Sequence, residues 1–174
     1  MTVKELTKTP PKAVDRGEPR VVLRARIDEW LGQYIDCLDD KRLDEWPEFF
    51  EEECFYSIVP KENDALGYEL GLMRCESRRM LQDRAYAIKK TVMYGPRDIR
   101  HFFSGLIIRE IGQQSIQLES NFLVVETLND ELPRVFAVGR SYDEVVPHGE
   151  RFLFRKRKCV YTSNLIPNTL IIPI

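Results

Sequence analysis

The sequence predicts an α+β fold, in which helices precede a long antiparallel sheet. The second half of the chain, residues 99–161, contains four strand-like runs joined by short polar breaks. Its longest run places apolar side chains at alternate positions from Ile116 to Val124, with mostly polar residues between them. A sheet with one buried face requires this period of two. The first half instead spaces its apolar residues as amphipathic helices do.

The composition is that of one ordinary domain. The 174 residues suffice for a single hydrophobic core. We expect a flexible, proline-containing arm over residues 1–20 and one domain over residues 21–174. The net charge of −2 creates no overall field for nucleic acid or an anionic membrane. No apolar run is long enough to span a membrane and no secretion signal is visible, so the expected location is the cytoplasm.

The first half is predicted to form three helices and two short strands. Residues 23–38 carry apolar side chains at helical spacing, until two aspartates interrupt the pattern. A shorter helix is predicted from Leu43 or Asp44 to Phe50, with Asp44 as its N-cap. The remaining predicted elements are a solvated turn at 51–53, strands at 54–59 and 67–73, a turn at 61–64, a helix at 76–89 capped by Ser77, and a turn at 94–98.

The second half is predicted to form a four-stranded antiparallel meander. Short connections join successive strands, and such connections make neighbouring strands antiparallel. The second strand is long, so we expect it to bend or to carry a bulge near Ser120 and Asn121. A strongly bent sheet with helices across its concave side encloses a cone-shaped cavity. The predicted strands are 100–111, 115–128, 134–146 and 152–161.

The last residues, 162–174, are mostly apolar. An exposed apolar end frays and aggregates, so we expect this segment to dock on a surface. Deletion of residues 165–174 is therefore predicted to impair assembly or solubility.

The sequence contains few residues that could bind a metal or perform catalysis. A Rieske cluster takes two Cys and two His, and a mononuclear non-haem iron takes two His and a carboxylate. The two histidines, His101 and His148, are too few for both centres. No zinc-ligand spacing, phosphate-binding loop or nucleophile elbow is present. We therefore assign no catalytic, cofactor-binding or metal-ligating residue. The cysteines form no C-x-x-C pair and are expected to stay reduced; they are Cys37, Cys54, Cys75 and Cys159.

His101 begins a predicted strand and permits two interpretations. In the first, it is a general acid or base inside the cavity, paired with Asp40 or Glu76. In the second, it is a structural histidine bonded to backbone or lying at an interface, and this second interpretation is favoured. His148 lies in a Pro-His-Gly turn and is expected to be exposed.

Residues 151–158 combine aromatic and basic side chains, a mixture that can bind nucleic acid. Their alternation is poor and the chain is net acidic, so a basic strand on the outer face of the sheet is the favoured interpretation. We expect no nucleic-acid partner.

Several motifs share the order and spacing of one protein family. They include Arg-His-Phe-Phe-Ser at 100–104 and Gly-Arg-Ser-Tyr-Asp at 139–143, together with segments 38–46, 49–50, 76–84, 120–122, 157–161, 166–170 and 172–174. From about Val22 to Ile174, the chain resembles the small (beta) subunits of aromatic-ring-hydroxylating dioxygenases, the Rieske non-haem iron oxygenases. The chain departs from the family pattern in two places. Gly105 stands where an asparagine is common, and Ile171 and Ile172 precede a proline where an aromatic residue is expected.

The resemblance implies a cystatin-like (nuclear-transport-factor-2-like, NTF2-like) cone, with about three helices packed on the bent sheet. It also implies a structural, non-catalytic beta subunit in a cytoplasmic hexamer of three alpha and three beta subunits. The alpha subunit would carry the Rieske 2Fe–2S cluster, the mononuclear iron and the substrate pocket. The holoenzyme would be an oxidoreductase that adds oxygen to an aromatic compound, with electrons from NAD(P)H through a reductase.

Two other functions remain open from the sequence. The chain could be a stand-alone isomerase or dehydratase of the same cone fold. It would use His101 with an acidic partner to move protons, and Tyr56 or Tyr86 to polarise a carbonyl. It could instead be a ligand-binding or scaffold module without an enzyme partner. Loss of activity in His101→Ala would favour the first, and the absence of a co-purifying alpha chain would favour the second.

Overall fold

The computed structural model describes residues 17–90, 95–163, 165–166 and 170–174. Most of the arm predicted over residues 1–20 lies outside these ranges. The described helices and strands confirm an α+β fold. They are α1 (Arg20–Asp39), β1 (Phe50–Pro60), α2 (Lys61–Ala65), β2 (Met73–Cys75), α3 (Arg78–Lys90), β3 (Arg97–Ile111), β4 (Ile116–Leu128), β5 (Arg134–His148) and β6 (Arg151–Tyr161).

The six strands form one curved sheet in the order β2-β1-β6-β5-β4-β3. The predicted meander is confirmed, because β3 to β6 pair with their chain neighbours in antiparallel fashion. One pairing differs from the predicted antiparallel sheet: β1 runs parallel to β6. These two strands are far apart in the chain, so no short connection could have indicated their orientation.

Helices α1 and α3 cover the concave side of the sheet. The apolar face of α1 lies against β3 and β6, and α3 lies against β1. This face of α1 is buried at Leu23, Ile27, Trp30, Leu31, Tyr34, Cys37 and Leu38. Burial of these side chains supplies the main driving force for closing the cone. None of the helices within the described ranges is long and apolar enough to cross a membrane.

Strand β4 has the predicted alternation, because its inward side chains from Ile116 to Val124 are buried. The irregularity expected near Ser120 and Asn121 lies across from them, in β3. There the register shifts after Ser104, at Gly105, whose φ is +64°. Glycine and asparagine are the residues that adopt this left-handed conformation most readily. The same conformation therefore accounts for glycine at a position where the resembling family commonly has asparagine.

Several short elements differ from their predictions. The second helix is only a 3-10 turn at Trp46–Phe49, and Asp44 does not cap it. Residues 51–53 belong to β1 rather than to a turn, because Phe50 is buried and already pairs with Phe154 of β6. The turn predicted at 61–64 is the short helix α2. The strand predicted at 67–73 is wrong except at Met73, where β2 begins.

The remaining local predictions are confirmed only in part. Ser77 Oγ accepts a hydrogen bond from the main-chain N–H of Met80 at 3.4 Å, the geometry of an N-cap. The turn predicted at 94–98 lies partly outside the described residues, and Arg97 and Asp98 already belong to β3. All four cysteines are buried free thiols.

Candidate functional site

Four buried polar side chains meet inside the cone, and we call them the interior polar cluster: Tyr34, Tyr56, Asp143 and Arg157. Three of them lie side by side on adjacent strands. Tyr56 of β1 is the register partner of Arg157 in β6, which is the register partner of Asp143 in β5. Tyr34 faces them from α1, so the cluster joins the helix layer to three strands of the sheet.

Arg157 is the charged centre of this cluster. Its side chain has no exposed surface, and Nη1 lies 2.7 Å from Asp143 Oδ2. The guanidinium also lies 4.7 to 4.8 Å from the ring centroids of Tyr34, Phe103 and Phe154. Aromatic faces attract a cation, so these rings and the carboxylate offset the cost of burying the charge.

Burial raises the pKa of Asp143 to about 6, and the nearby Arg157 opposes that rise. Asp143 is therefore mainly ionised at pH 7 and forms an ion pair. Burial acts to lower the pKa of Arg157, but Asp143 and other nearby groups raise it by more, so the guanidinium stays charged. Burial also raises the pKa of Tyr34 and Tyr56 well above the usual range, which keeps both hydroxyls protonated.

The interior polar cluster binds the chain's own last residues. Residues 170–174, which we call the terminal segment, are buried. The main-chain oxygen of Ile174 accepts hydrogen bonds from Tyr34 at 2.9 Å, Tyr56 at 3.1 Å and Arg157 Nε at 3.3 Å. The main-chain N–H of Ile174 donates to the Tyr56 hydroxyl at 2.9 Å. The prediction that the apolar tail docks is confirmed for these residues, and the docking surface is the interior of the same chain.

This occupancy bears on the isomerase or dehydratase hypothesis. Tyr56 does hydrogen-bond a carbonyl oxygen, but that oxygen belongs to Ile174. Tyr86, the other tyrosine considered for this role, lies on α3 with 64% of its surface exposed. The place where a substrate carbonyl would bind is thus filled by the terminal segment.

His101 has a structural environment, and its partner is Asp39 rather than Asp40 or Glu76. Its Nδ1 lies 2.7 Å from Asp39 Oδ1, and its main-chain N–H donates to the same oxygen at 3.1 Å. Asp40 is exposed, and Glu76 pairs with Arg74. Because Asp39 ends α1 and His101 lies in β3, the contact fastens the helix to the sheet.

Two other predictions about basic residues need correction. His148, expected to be exposed, is half-buried at the end of β5. The segment 151–158 is not an outer basic strand throughout, because Arg157 points into the cone. Arg155 forms ion pairs with Glu51 at 2.8 Å and Glu144 at 3.3 Å. Within the described ranges, no three His, Cys, Asp or Glu side chains come together as a metal site.

The outer face of the sheet carries exposed apolar side chains. Phe102 of β3, Leu123 of β4 and Val138 of β5 are register partners in one row, and Val125 and Val135 extend it. We call these five residues the outer apolar patch. Phe102, Val135 and Val138 are 48 to 58% exposed. Contiguous apolar surface of this kind marks an interaction site in many proteins. The sequence indicates this patch, because Leu123 and Val125 are apolar although they alternate with the inward-facing residues of β4.

Comparisons with known proteins agree on one family. The sequence model of a family described as "Ring hydroxylating beta subunit" matches residues 35–168. The small subunit of anthranilate 1,2-dioxygenase from Burkholderia cepacia is 37% identical over 142 residues, which cover 82% of this chain and 88% of that subunit.

Solved structures agree. One described as the beta subunit of an aromatic-ring-hydroxylating dioxygenase from Novosphingobium aromaticivorans is 30% identical, with a TM-score of 0.81 over 90% of this chain and 100% of that one. Another from the same organism, described as a scytalone dehydratase, is 18% identical, with a TM-score of 0.66 over 88% of this chain and 93% of that one. The second likeness concerns the fold alone and places the chain among NTF2-like cones.

Proposed function

The chain belongs to the family of ring-hydroxylating dioxygenase beta subunits, and we propose that within such an oxidoreductase it acts as a structural subunit without a catalytic residue of its own. The observation that carries the proposal is the filled cone. In an NTF2-like cone the interior is the natural place for a substrate, and here the terminal segment occupies it. His101, the candidate acid or base, is held by Asp39 in a contact between helix and sheet.

The reaction then takes place in a partner chain. We propose an alpha subunit that carries a Rieske 2Fe–2S cluster and a mononuclear iron, in a cytoplasmic hexamer of three alpha and three beta chains. Electrons would come from NAD(P)H through a reductase. The two histidines of this sequence are too few to ligate both centres, which supports this division of labour. The relatives are named for dioxygenases of anthranilate and terephthalate, so we propose an aromatic acid as substrate.

We propose that the outer apolar patch contacts another beta chain of the assembly. Exposed apolar side chains that cross three neighbouring strands form a surface that a second sheet can cover. The neighbouring charges are already paired within the chain. Glu119 lies 2.7 Å from Arg109 and 3.6 Å from Arg140. Because these charges neutralise one another, the patch can approach the surface of a neighbouring beta chain without strong repulsion.

The test is light scattering with iron analysis on the chain alone and after co-expression with the alpha chain. An iron-free chain that joins an iron-containing hexamer is the expected result. A chain that recruits no alpha partner and turns over a substrate alone would overturn the proposal.

The variant His101→Ala distinguishes the proposed structural role from the isomerase or dehydratase hypothesis. In the assembled enzyme, its activity per hexamer should stay within about twofold of wild type, since the hydrogen bonds of His101 to Asp39 join α1 to β3. A loss of roughly 100-fold with the hexamer intact is the size expected for a lost general acid or base, and would contradict the proposal that this chain has no catalytic residue. An activity of the chain alone that falls about 100-fold in His101→Ala would favour the isomerase or dehydratase hypothesis.

A further inference from the structure

Three hydrogen-bond donors of the interior polar cluster converge on one main-chain oxygen, that of Ile174. The hydroxyls of Tyr34 and Tyr56 lie 2.9 and 3.1 Å from the main-chain oxygen of Ile174. Arg157 Nε lies 3.3 Å from the same oxygen. A carboxylate offers about four acceptor sites on its two oxygens, enough to accept from all of these donors. The donor set therefore suits the oxygens of a carboxylate.

A further donor of Arg157 is unused. Its Nη2 is buried and has no hydrogen-bond partner among the described residues. Because Nη1 is paired with Asp143, the edge formed by Nε and Nη2 is the one that faces the bound oxygen. An edge of this kind binds the two oxygens of a carboxylate side by side.

One of the tyrosine donors is oriented by a contact that does not involve the terminal segment. Trp46 Nε1 donates to the Tyr34 hydroxyl at 3.2 Å. A hydroxyl that accepts this hydrogen bond keeps its own proton for an acceptor on the other side. The site would therefore keep part of its donor geometry if Ile174 were displaced.

The surroundings define the rest of the ligand. The terminal segment is made of Leu, Ile and Pro side chains and lies among buried residues of the hydrophobic core. The ring of Tyr56 packs against Trp46, which packs against Phe50, and Phe50 in turn packs against Phe154. A ligand that replaces the segment must therefore present one anionic head to Arg157 and an apolar body to these rings.

We propose that the interior polar cluster is a carboxylate-binding site, that the terminal segment fills it as an internal ligand, and that a small apolar monocarboxylate binds there when the segment is displaced. The site lies inside one chain, so the inference does not depend on the proposed partner. A failure to assemble with an alpha chain would leave it unaffected.

The experiment uses the full-length chain with Ile172→Asp, with benzoate as the probe. Ile172 is 1% exposed, and an aspartate is costly in that apolar position, so the variant should release the terminal segment. Titration followed by NMR should show benzoate binding to the variant and none to the wild-type chain. Benzamide, which has the same ring but no charge, should bind at least about tenfold more weakly, the ratio expected for a lost charged hydrogen bond.

A second variant tests the role of Arg157. Ile172→Asp with Arg157→Lys keeps the charge opposite Asp143 but removes the paired N–H edge, and should weaken benzoate binding by about tenfold or more. Equal binding by both variants, equal binding of benzamide, or no benzoate binding to a cooperatively folded Ile172→Asp chain would overturn the proposal. If that variant lacks a cooperative unfolding transition, benzoate or the pentapeptide of residues 170–174 must restore it, and failure of both would also overturn the proposal.

Discussion

Replacement of Arg157 by methionine should destabilise the chain strongly although it adds no polar group. The guanidinium is fully buried, pairs with Asp143 at 2.7 Å and donates to Ile174 at 3.3 Å. Methionine fills much of the same volume, so the cavity left behind is small. The loss comes from an unpaired buried carboxylate, for which removal of one partner typically costs about 3–5 kcal/mol. Against a total stability of roughly 5–15 kcal/mol, this is a large fraction.

Arg155→Met is the matched control, because the same change is made two residues earlier in β6. Arg155 is 38% exposed and its ion pairs with Glu51 and Glu144 are partly solvated, so its loss should cost about 1 kcal/mol or less. Urea unfolding of the isolated chain can be followed by tryptophan fluorescence, since Trp30 and Trp46 are both buried. Equal losses of unfolding free energy for the two variants would refute the reasoning.

The double variant Asp143→Leu with Arg157→Met distinguishes the loss of the ion pair from the loss of the other contacts of Arg157. Removing both partners of a buried ion pair leaves no uncompensated charge, and such replacements are often neutral or stabilising. We expect the double variant to recover at least half of the loss caused by Arg157→Met alone. A double variant less stable than the single one would show that the contacts of Arg157 with the terminal segment and the rings dominate.

Three further outcomes are expected. The pKa of Asp143 is raised from 3.8 to about 6 in the folded chain. Its contribution to the free energy of unfolding is therefore greatest below pH 4 and is lost as the pH rises through 6. Urea titrations of wild type and Asp143→Asn over this pH range should show the fall as a change in the difference between their unfolding free energies. Gly105→Val should cost about 2 kcal/mol more than Gly105→Asn in the same assay, since φ is +64°. Phe102→Asp should reduce the mass of the assembly in light scattering, whereas Leu132→Asp, at an 87% exposed turn position, should leave it unchanged.

The meander could be predicted from the sequence because the patterns that indicate it are local. The alternation from Ile116 to Val124 and the short connections fix strand, face and orientation without reference to distant residues. The parallel pairing of β1 with β6 had no such signal, since residues 61–150 separate the two strands. The boundaries of the 3-10 turn and of β1 failed for a similar reason, because a pairing of Phe50 with Phe154 decides where the strand begins.

The interior polar cluster was missed because a bulge changes the inward face of β6. The register with β5 shifts between Glu144 and Val145, opposite Arg155. Before this shift Phe154 points inward, and after it Arg157 does. A run of basic residues with poor alternation therefore suggested an outer strand. Only the pairing with β5 shows that one of its arginines lies in the core.

The filled interior also explains how one cone fold can serve as either an enzyme or a structural subunit. A bent sheet with helices across it forms a concave space, and that space either stays open for a ligand or must be filled to give a stable core. Here Tyr34, Tyr56 and Arg157 provide donors that an open cone could use on a substrate, and Ile174 occupies them. The same contacts that stabilise this chain are thus the ones that withhold its interior from a substrate.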